Sequence, residues 1–250
     1  MKLLRYKINN DIKYGIFKDD AIAEINGDVF GSFEESGKVV SFADITLLPP
    51  VEPSKIIAIG LNYKEHALEL SMEMPLEPLI FLKPPSTLIA SGDDVVYPEM
   101  SSQVDYEGEL GVVIKKRAKD VHRADAREYI LGYTCINDVT ARDLQRRDVQ
   151  FTRAKSFDTF CPAGPFIETE LDPTDAKLKT YLNGQLMQDA STSDMIFDVY
   201  FLVSYVSNIM TLEPGDLITT GTPKGVASVV RGDSVAVEIQ GVGRLVNSII

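Results

Sequence analysis

The sequence predicts an α+β fold in which β structure dominates. Short apolar runs, each bounded by turn residues, recur along the 250-residue chain. Asn183-Gly184 lies between two such runs, the pattern of a tight hairpin turn. A sustained helical period appears at Ile196, Val199, Leu202, Val203 and Val206, behind Ser193 as the expected N-cap.

Length allows one large β-rich domain, or a main domain with a small appendage, and 44% apolar residues suffice for a core. A net charge of −12 argues against nucleic acid as a partner, because phosphates call for a basic face. Bound divalent metal would neutralise part of that excess. No apolar run is long enough to span a membrane, and the Met-Lys-Leu-Leu-Arg start lacks the apolar segment of a signal peptide. Cys135 and Cys161 have no zinc or redox spacing and read as reduced thiols. A cytoplasmic protein without membrane partners is the expectation.

In chain order, residues 2–8, 12–17 and 21–25 read as a strand meander with turns at Asn9-Asn10 and Asn26-Gly27. The proline-rich stretch 48–53 is the expected linker, dividing a small N-terminal β domain (1–50) from a main domain (53–250). Residues 56–59 form a short buried strand closed by Gly60, and a helix is expected from Tyr63 to Leu70. Residues 72–78, with two prolines, read as a loop or lid before an apolar strand at 79–82. Residues 110–114 form a strand buried on both faces. A short helix is expected at 124–130, ended by Gly132, then a second buried strand at 133–138 and a helical segment from 139 to about 149. Residues 177–182 and 185–188 make the hairpin; 217–220, 234–239 and 243–249 supply further strands.

The chemistry concentrates in Asp105-Tyr106-Glu107-Gly108-Glu109, which runs into the buried strand. At a strand's period of two, Asp105, Glu107 and Glu109 share a face. Neighbours ~7 Å apart would repel by about 2 kcal/mol at an effective dielectric of 20. A half-buried cluster of this kind must take up protons, find basic partners or hold a cation, and a cation is the reading adopted. Asp138, at a strand end, serves either as a helix N-cap or as a third ligand. Oxygen-only donors select a hard ion, Mg²⁺ or Mn²⁺ with Ca²⁺ admissible, over zinc. Three carboxylates leave positions open for water or substrate. His66 and Glu69, at i and i+3, are either a solvated helix pair or a general base with its orienting partner. Lys155 by itself reads as an exposed loop lysine. Gly221-Thr222-Pro223-Lys224-Gly225 lacks phosphate-loop spacing and reads as a tight loop presenting backbone N–H groups and the Thr222 hydroxyl at a site rim.

Five stretches together resemble the fumarylacetoacetate hydrolase family over residues 53–250: Gly60-Leu61-Asn62-Tyr63-Lys64-Glu65-His66, Asp105 to Leu110, Asn137 to Gln145, Lys155-Ser156-Phe157-Asp158-Thr159 and Gly221 to Val226. The resemblance implies a roll of mixed β-sheets with short helices, a small N-terminal β domain, a homodimer and a place in aromatic catabolism. It implies Glu107, Glu109 and Asp138 as Mg²⁺ or Mn²⁺ ligands, and His66 with Glu69 as a water-activating pair on a mobile helix. It places Lys155, Arg142, Gln145 and Thr222 against substrate or a developing oxyanion, with Asp105 orienting a ligand or a metal-bound water. The implied activity is C–C hydrolysis of a small 1,3-diketo or 2-oxo acid. Oxaloacetate decarboxylation and keto–enol or 2-hydroxydienedioate isomerisation are alternatives on the same site. Outside that chemistry stand a phosphohydrolase, which lacks a phosphate loop here, and a non-catalytic module with a structural ion.

Overall fold

The computed structural model describes residues 1–69 and 73–250. Its centre is the strand Gly108–Ile114, buried at every position as its unbroken apolar run requires. The antiparallel neighbour Ile130–Asn137 is buried throughout as well, with Gly108 opposite Asn137. Both belong to a 12-stranded mixed sheet. On one side the sheet continues through Leu217–Thr219 and the parallel strand Ile56–Gly60 to the edge strand Leu79–Lys83. On the other it passes through Cys161–Glu168 to Lys2–Ile8, Asp11–Lys18, Ala21–Gly27 and Phe33–Ser41. Leu3 stands opposite Ile167, so the N-terminal meander extends the main sheet.

A five-stranded sheet carries the hairpin Lys177–Leu182 and Gln185–Ser191 together with Ser234–Ile239 and Gly243–Ile249. Asn183 at φ 51° and Gly184 at φ 82° supply the left-handed pair that a type I′ turn needs. Leu178, Val237 and Leu245 of this sheet share a core with Leu110, Val112 and Tyr133 of the large one. The buried face of helix Val199–Ile209, with Val199, Leu202, Val203 and Val206, completes that core. No described helix is long and apolar enough to cross a membrane. Both cysteines are free and buried.

Several local expectations are corrected. The acidic stretch is not one strand: Val104–Asp105 pairs with Thr140–Ala141 and Ser228–Val229 in a separate three-stranded sheet, and Tyr106-Glu107, outside any strand, separate it from Gly108–Ile114. Asp105 therefore does not share a strand face with the two glutamates. The segment after Asp138 is a short strand followed by helix Arg142–Arg147, whose N-cap is Ala141, so Asp138 caps no helix. The expected helix at 124–130 is the 3-10 helix Arg123–Tyr129, and Gly132 lies inside a strand against Cys161–Glu168 instead of ending it. Ser193 sits in a 3-10 turn, while Asp198 caps the long helix by accepting from Phe201 N at 2.9 Å. Phe33–Ser41 is a strand its polar sequence did not announce; it is an edge, held by pairing with Ala21–Gly27. Helix Lys64–Glu69 appears as expected, whereas Leu70 and Met72, assigned to the helix and the loop, lie outside the described residues. Residues 73–78 carry no regular structure.

Candidate metal centre and active site

Two adjacent strand ends build the acidic cluster. Glu107 immediately precedes Gly108–Ile114, Glu109 lies in it, and Asp138 immediately follows Ile130–Asn137. Asp138 N donates to Glu107 O at 2.8 Å and Glu107 N donates to Asn137 Oδ1 at 3.0 Å, which ties the two ends together. Carboxylate oxygens of Glu107, Glu109 and Asp138 all lie within 4.8 Å of one another, and all three residues are buried. The glycine between the glutamates has a steric reason. A Cβ at Gly108 would stand 2.0 Å from Thr180 Oγ1, so no side chain fits against the hairpin. Gly108 N also donates to Gln188 Oε1 at 3.0 Å.

Three bases face the acids. Lys155 donates to Glu107 Oε2 at 2.8 Å and to Asp138 Oδ2 at 2.6 Å. Lys83 bonds Asp138 Oδ1. Arg142 bonds Glu107 Oε1 through Nη2, and Asp105 Oδ2 through Nε at 2.8 Å. All seven groups are buried. Four acids (Asp105, Glu107, Glu109, Asp138) against three bases (Lys83, Lys155, Arg142) leave one buried negative charge without a counterpart. The excess falls on Glu109. Burial first, then the charges of Asp138 and Glu107, push its carboxyl well above the usual range. Glu107 behaves oppositely: burial works against its charge, but Lys155 and Arg142 outweigh burial and hold it at about 2. Burial likewise opposes the charge of Lys155, yet Asp138 and Glu107 raise its pKa, so it remains an ammonium. An oxygen-only cluster short of one positive charge fits a hard divalent cation, held by Glu107, Glu109 and Asp138.

The last wall comes from loops and short helices. Gly221, at φ +90°, donates its N–H to Glu109 Oε2 at 2.8 Å, and a Cβ there would meet Asn62 Cβ at 2.7 Å. Asn62 clamps this corner, donating to Thr220 O at 2.7 Å and Phe197 O at 3.0 Å. Leu61 is held at φ 52°, a strained conformation for a leucine beside a functional cavity. On helix Lys64–Glu69, His66 is buried and its Nδ1 meets Glu69 Oε2 at 2.9 Å. Gly225 N donates to Glu69 Oε1 at 3.1 Å, fixing the glutamate from the far side.

These groups surround a cavity of about 210 Å³. His66, Glu107, Glu109, Arg142, Gln145, Lys155 and Thr222 line it, with Leu79, Phe81 and Phe151 as apolar wall. Of the ten residues singled out from sequence, seven therefore open on one space. Asp138 stands behind it in the grip of the two lysines, and Glu69 reaches it through His66. The expectation of an exposed Lys155 is corrected, because long-range acids more than offset its desolvation. Thr222 lines the cavity, but its hydroxyl is already engaged, donating to Gly108 O at 2.9 Å and accepting from Gln188 Nε2 at 2.8 Å. Asp105 stands outside the carboxylate triad and holds Arg142, with Ser228 Oγ donating to it at 2.8 Å. Lys83 escaped the sequence reading; the available signal was a lysine closing an apolar run directly before Pro84-Pro85.

Comparison with known proteins bears on this arrangement. A family model described as fumarylacetoacetate (FAA) hydrolase C-terminal matches residues 55–250, and one described as Rv2993c-like N-terminal matches residues 1–50. The structure of a 2-hydroxyhepta-2,4-diene-1,7-dioate isomerase from Mycobacterium marinum is 41% identical, with a TM-score of 0.94 over 100% of this chain and 98% of that one. A maleylpyruvate hydrolase from Sphingobium sp. SYK-6, in complex with manganese(II) and pyruvate, is 30% identical, with a TM-score of 0.83 over 100% and 99% of the two chains. A 4-hydroxyphenylacetate degradation bifunctional isomerase/decarboxylase from Salmonella dublin is 48% identical over 78% of this chain and 46% of that longer protein. With a family model matching residues 55–250 and a 41%-identical structure aligned over 98% of its length, the chain belongs to the fumarylacetoacetate hydrolase family.

Proposed function

We propose that this protein is a Mg²⁺- or Mn²⁺-dependent hydrolase that cleaves a C–C bond in a small 1,3-diketo or 2-oxo acid of the acylpyruvate kind. One observation carries the reading. A buried histidine, braced through Nδ1 by a carboxylate, opens on the same cavity as the acidic cluster. The cavity, at about 210 Å³, suits a small acid better than a drug-sized ligand. The manganese and pyruvate held by the 30%-identical hydrolase agree with that ligand class.

A divalent ion on Glu107, Glu109 and Asp138 supplies positive charge for the oxygens of a 2-oxo acid. The chain's own groups account for the remainder. With Nδ1 engaged by Glu69, His66 Nε2 takes a proton from water, and the hydroxide adds to the distal carbonyl. Arg142 and Gln145, joined at 2.6 Å, present donors to the oxyanion that forms. As the adduct collapses, the C–C bond breaks and its electron pair passes into the enolate of pyruvate. Return of the proton from His66 to carbon yields pyruvate and a carboxylic acid. Lys155 acts by charge and not as a nucleophile, because it stays protonated.

A second reading, isomerisation or decarboxylation, is favoured by the names of the relatives at 48% and 41% identity. In it His66 shuttles a proton between carbon atoms, or is not needed. The test is loss of ultraviolet absorbance from acetylpyruvate with Mg²⁺, abolished by EDTA, set beside oxaloacetate decarboxylation. His66→Ala should lower hydrolysis by roughly 10²- to 10⁴-fold and leave decarboxylation far less affected. Equal losses would mean that His66 does not activate water. Turnover of a 2-hydroxydienedioate without pyruvate release would select the second reading.

A further inference from the structure

Every cation so far described at the site is engaged by carboxylates: Lys155 by Glu107 and Asp138, Lys83 by Asp138, Arg142 by Asp105 and Glu107. Arg146 differs. It follows Gln145 on helix Arg142–Arg147 and lines the same cavity, yet among the described residues it forms no ion pair. Its Nη1 donates to the neutral Gln103 Oε1 at 3.0 Å. That bond orients the guanidinium and leaves most of its five N–H donors open. Arg146 also borders a second cavity of about 450 Å³, so its charge stands where the inner space meets the outer one.

The charge balance gives this cation a use. Four buried acids and three buried bases leave one negative charge, a divalent ion turns that into one positive, and the carboxylate of a 2-oxo acid cancels it. A second carboxylate on the substrate would then need its own counter-charge, or remain uncompensated in a partly dry cavity. Leu79, Phe81 and Phe151 offer an apolar wall for the carbon chain between the two ends.

We propose that Arg146 is a specificity residue that receives a second, distal carboxylate, so that the site prefers 2-oxo acids with a charged far end over those with an apolar one. This rests on the 2-oxo acid reading given above. The guanidinium fork suits a planar carboxylate, and its exposure limits the gain through screening.

The test is calorimetric binding of 2-oxoadipate and 2-oxohexanoate to the full chain loaded with Mg²⁺. These acids share a head and a chain length and differ in whether the sixth carbon is a carboxylate. The wild type should bind 2-oxoadipate more tightly by roughly twofold to fivefold. Arg146→Gln should abolish that preference without altering 2-oxohexanoate binding, Arg146→Lys should keep part of it, and added salt should shrink it. Equal affinities in the wild type, or equal losses for both acids in Arg146→Gln, overturn the role of Arg146 and leave the 2-oxo acid reading standing. If neither acid binds the loaded wild type, that reading fails and this inference fails with it.

Discussion

Among the described residues, both hydrogen bonds that reach the Glu109 carboxylate address one oxygen: Oε2 accepts from Thr219 Oγ1 and from Gly221 N. Neutral donors soften its charge but do not cancel it, so burial and the neighbouring Asp138 and Glu107 keep its carboxyl raised. The sign of the pH dependence follows. Without an ion, the stability linked to Glu109 is full below the ordinary carboxylate range and is lost as pH climbs through the raised value. Metal favours the ionised form, so its affinity should increase with pH over the same window, one proton leaving as the ion binds. Glu109→Gln keeps both accepted hydrogen bonds and removes the charge. We expect it to fold, to be at least as stable as the wild type in EDTA at neutral pH, and to lose Mg²⁺ affinity by on the order of 100-fold. Titration calorimetry at several pH values checks all of this; undiminished affinity in the variant would remove Glu109 from the ligand set. At this scale the acidic cluster was legible in the sequence as carboxylates at the mouths of buried apolar runs, while its make-up of Glu107, Glu109 and Asp138 came from the family resemblance. Lys83 was not, and Lys155 only through the family resemblance, because what permits their burial is Asp138, which stands 55 and 17 residues away.

Gly108 decides how closely the hairpin approaches the central strand. A methyl group there would press on Thr180 Oγ1 and Gln188 Oε1, and Gln188 in turn holds Thr222 and the Pro223 carbonyl. Gly108→Ala should cost about 1–3 kcal/mol in denaturant unfolding, the usual range for overpacking, and should weaken metal binding by shifting the strand that carries Glu109. Adding Thr180→Ala removes the atom in the way, so the double variant should recover part of the loss; strictly additive effects would argue against the clash. Periodicity made elements of this kind legible where burial is complete, as in Gly108–Ile114, and where turn chemistry is unambiguous, as at Asn183-Gly184. It failed at Tyr106-Glu107, where the chain leaves one sheet for another. That break is set by pairing with Thr140–Ala141 and Ser228–Val229, partners about 35 and 123 residues distant that no local pattern encodes. The same pairing shortened the helix expected after Asp138, since Thr140 is drawn into the small sheet.

Across the molecule, the site is assembled from segments that meet only when the large sheet is complete. The carboxylates come from its two central strands, His66 follows Ile56–Gly60, and Lys83 closes the edge strand. Gly221 and Thr222 follow Leu217–Thr219, the strand that lies between Gly108–Ile114 and Ile56–Gly60. The unfolded chain offers no such cluster, so an ion that binds only the folded form must raise stability by mass action. Mg²⁺ at ~100 times its dissociation constant should add about 2.7 kcal/mol, or a rise in Tm of roughly 5–10 °C for a chain of this size. EDTA should reverse the gain. The gain should grow with pH as Glu109 gives up its proton, and should fall to about 0.4 kcal/mol in Glu109→Gln at the same Mg²⁺ concentration. A structural plug and a catalytic ion make the same thermal prediction, and what separates them is competition. An ion left open to substrate should bind pyruvate, and pyruvate should then raise Tm further with Mg²⁺ present and not with EDTA. A metal-dependent rise that pyruvate leaves unchanged would instead favour the closed, structural ion, and the 2-oxo acid chemistry would lose its support.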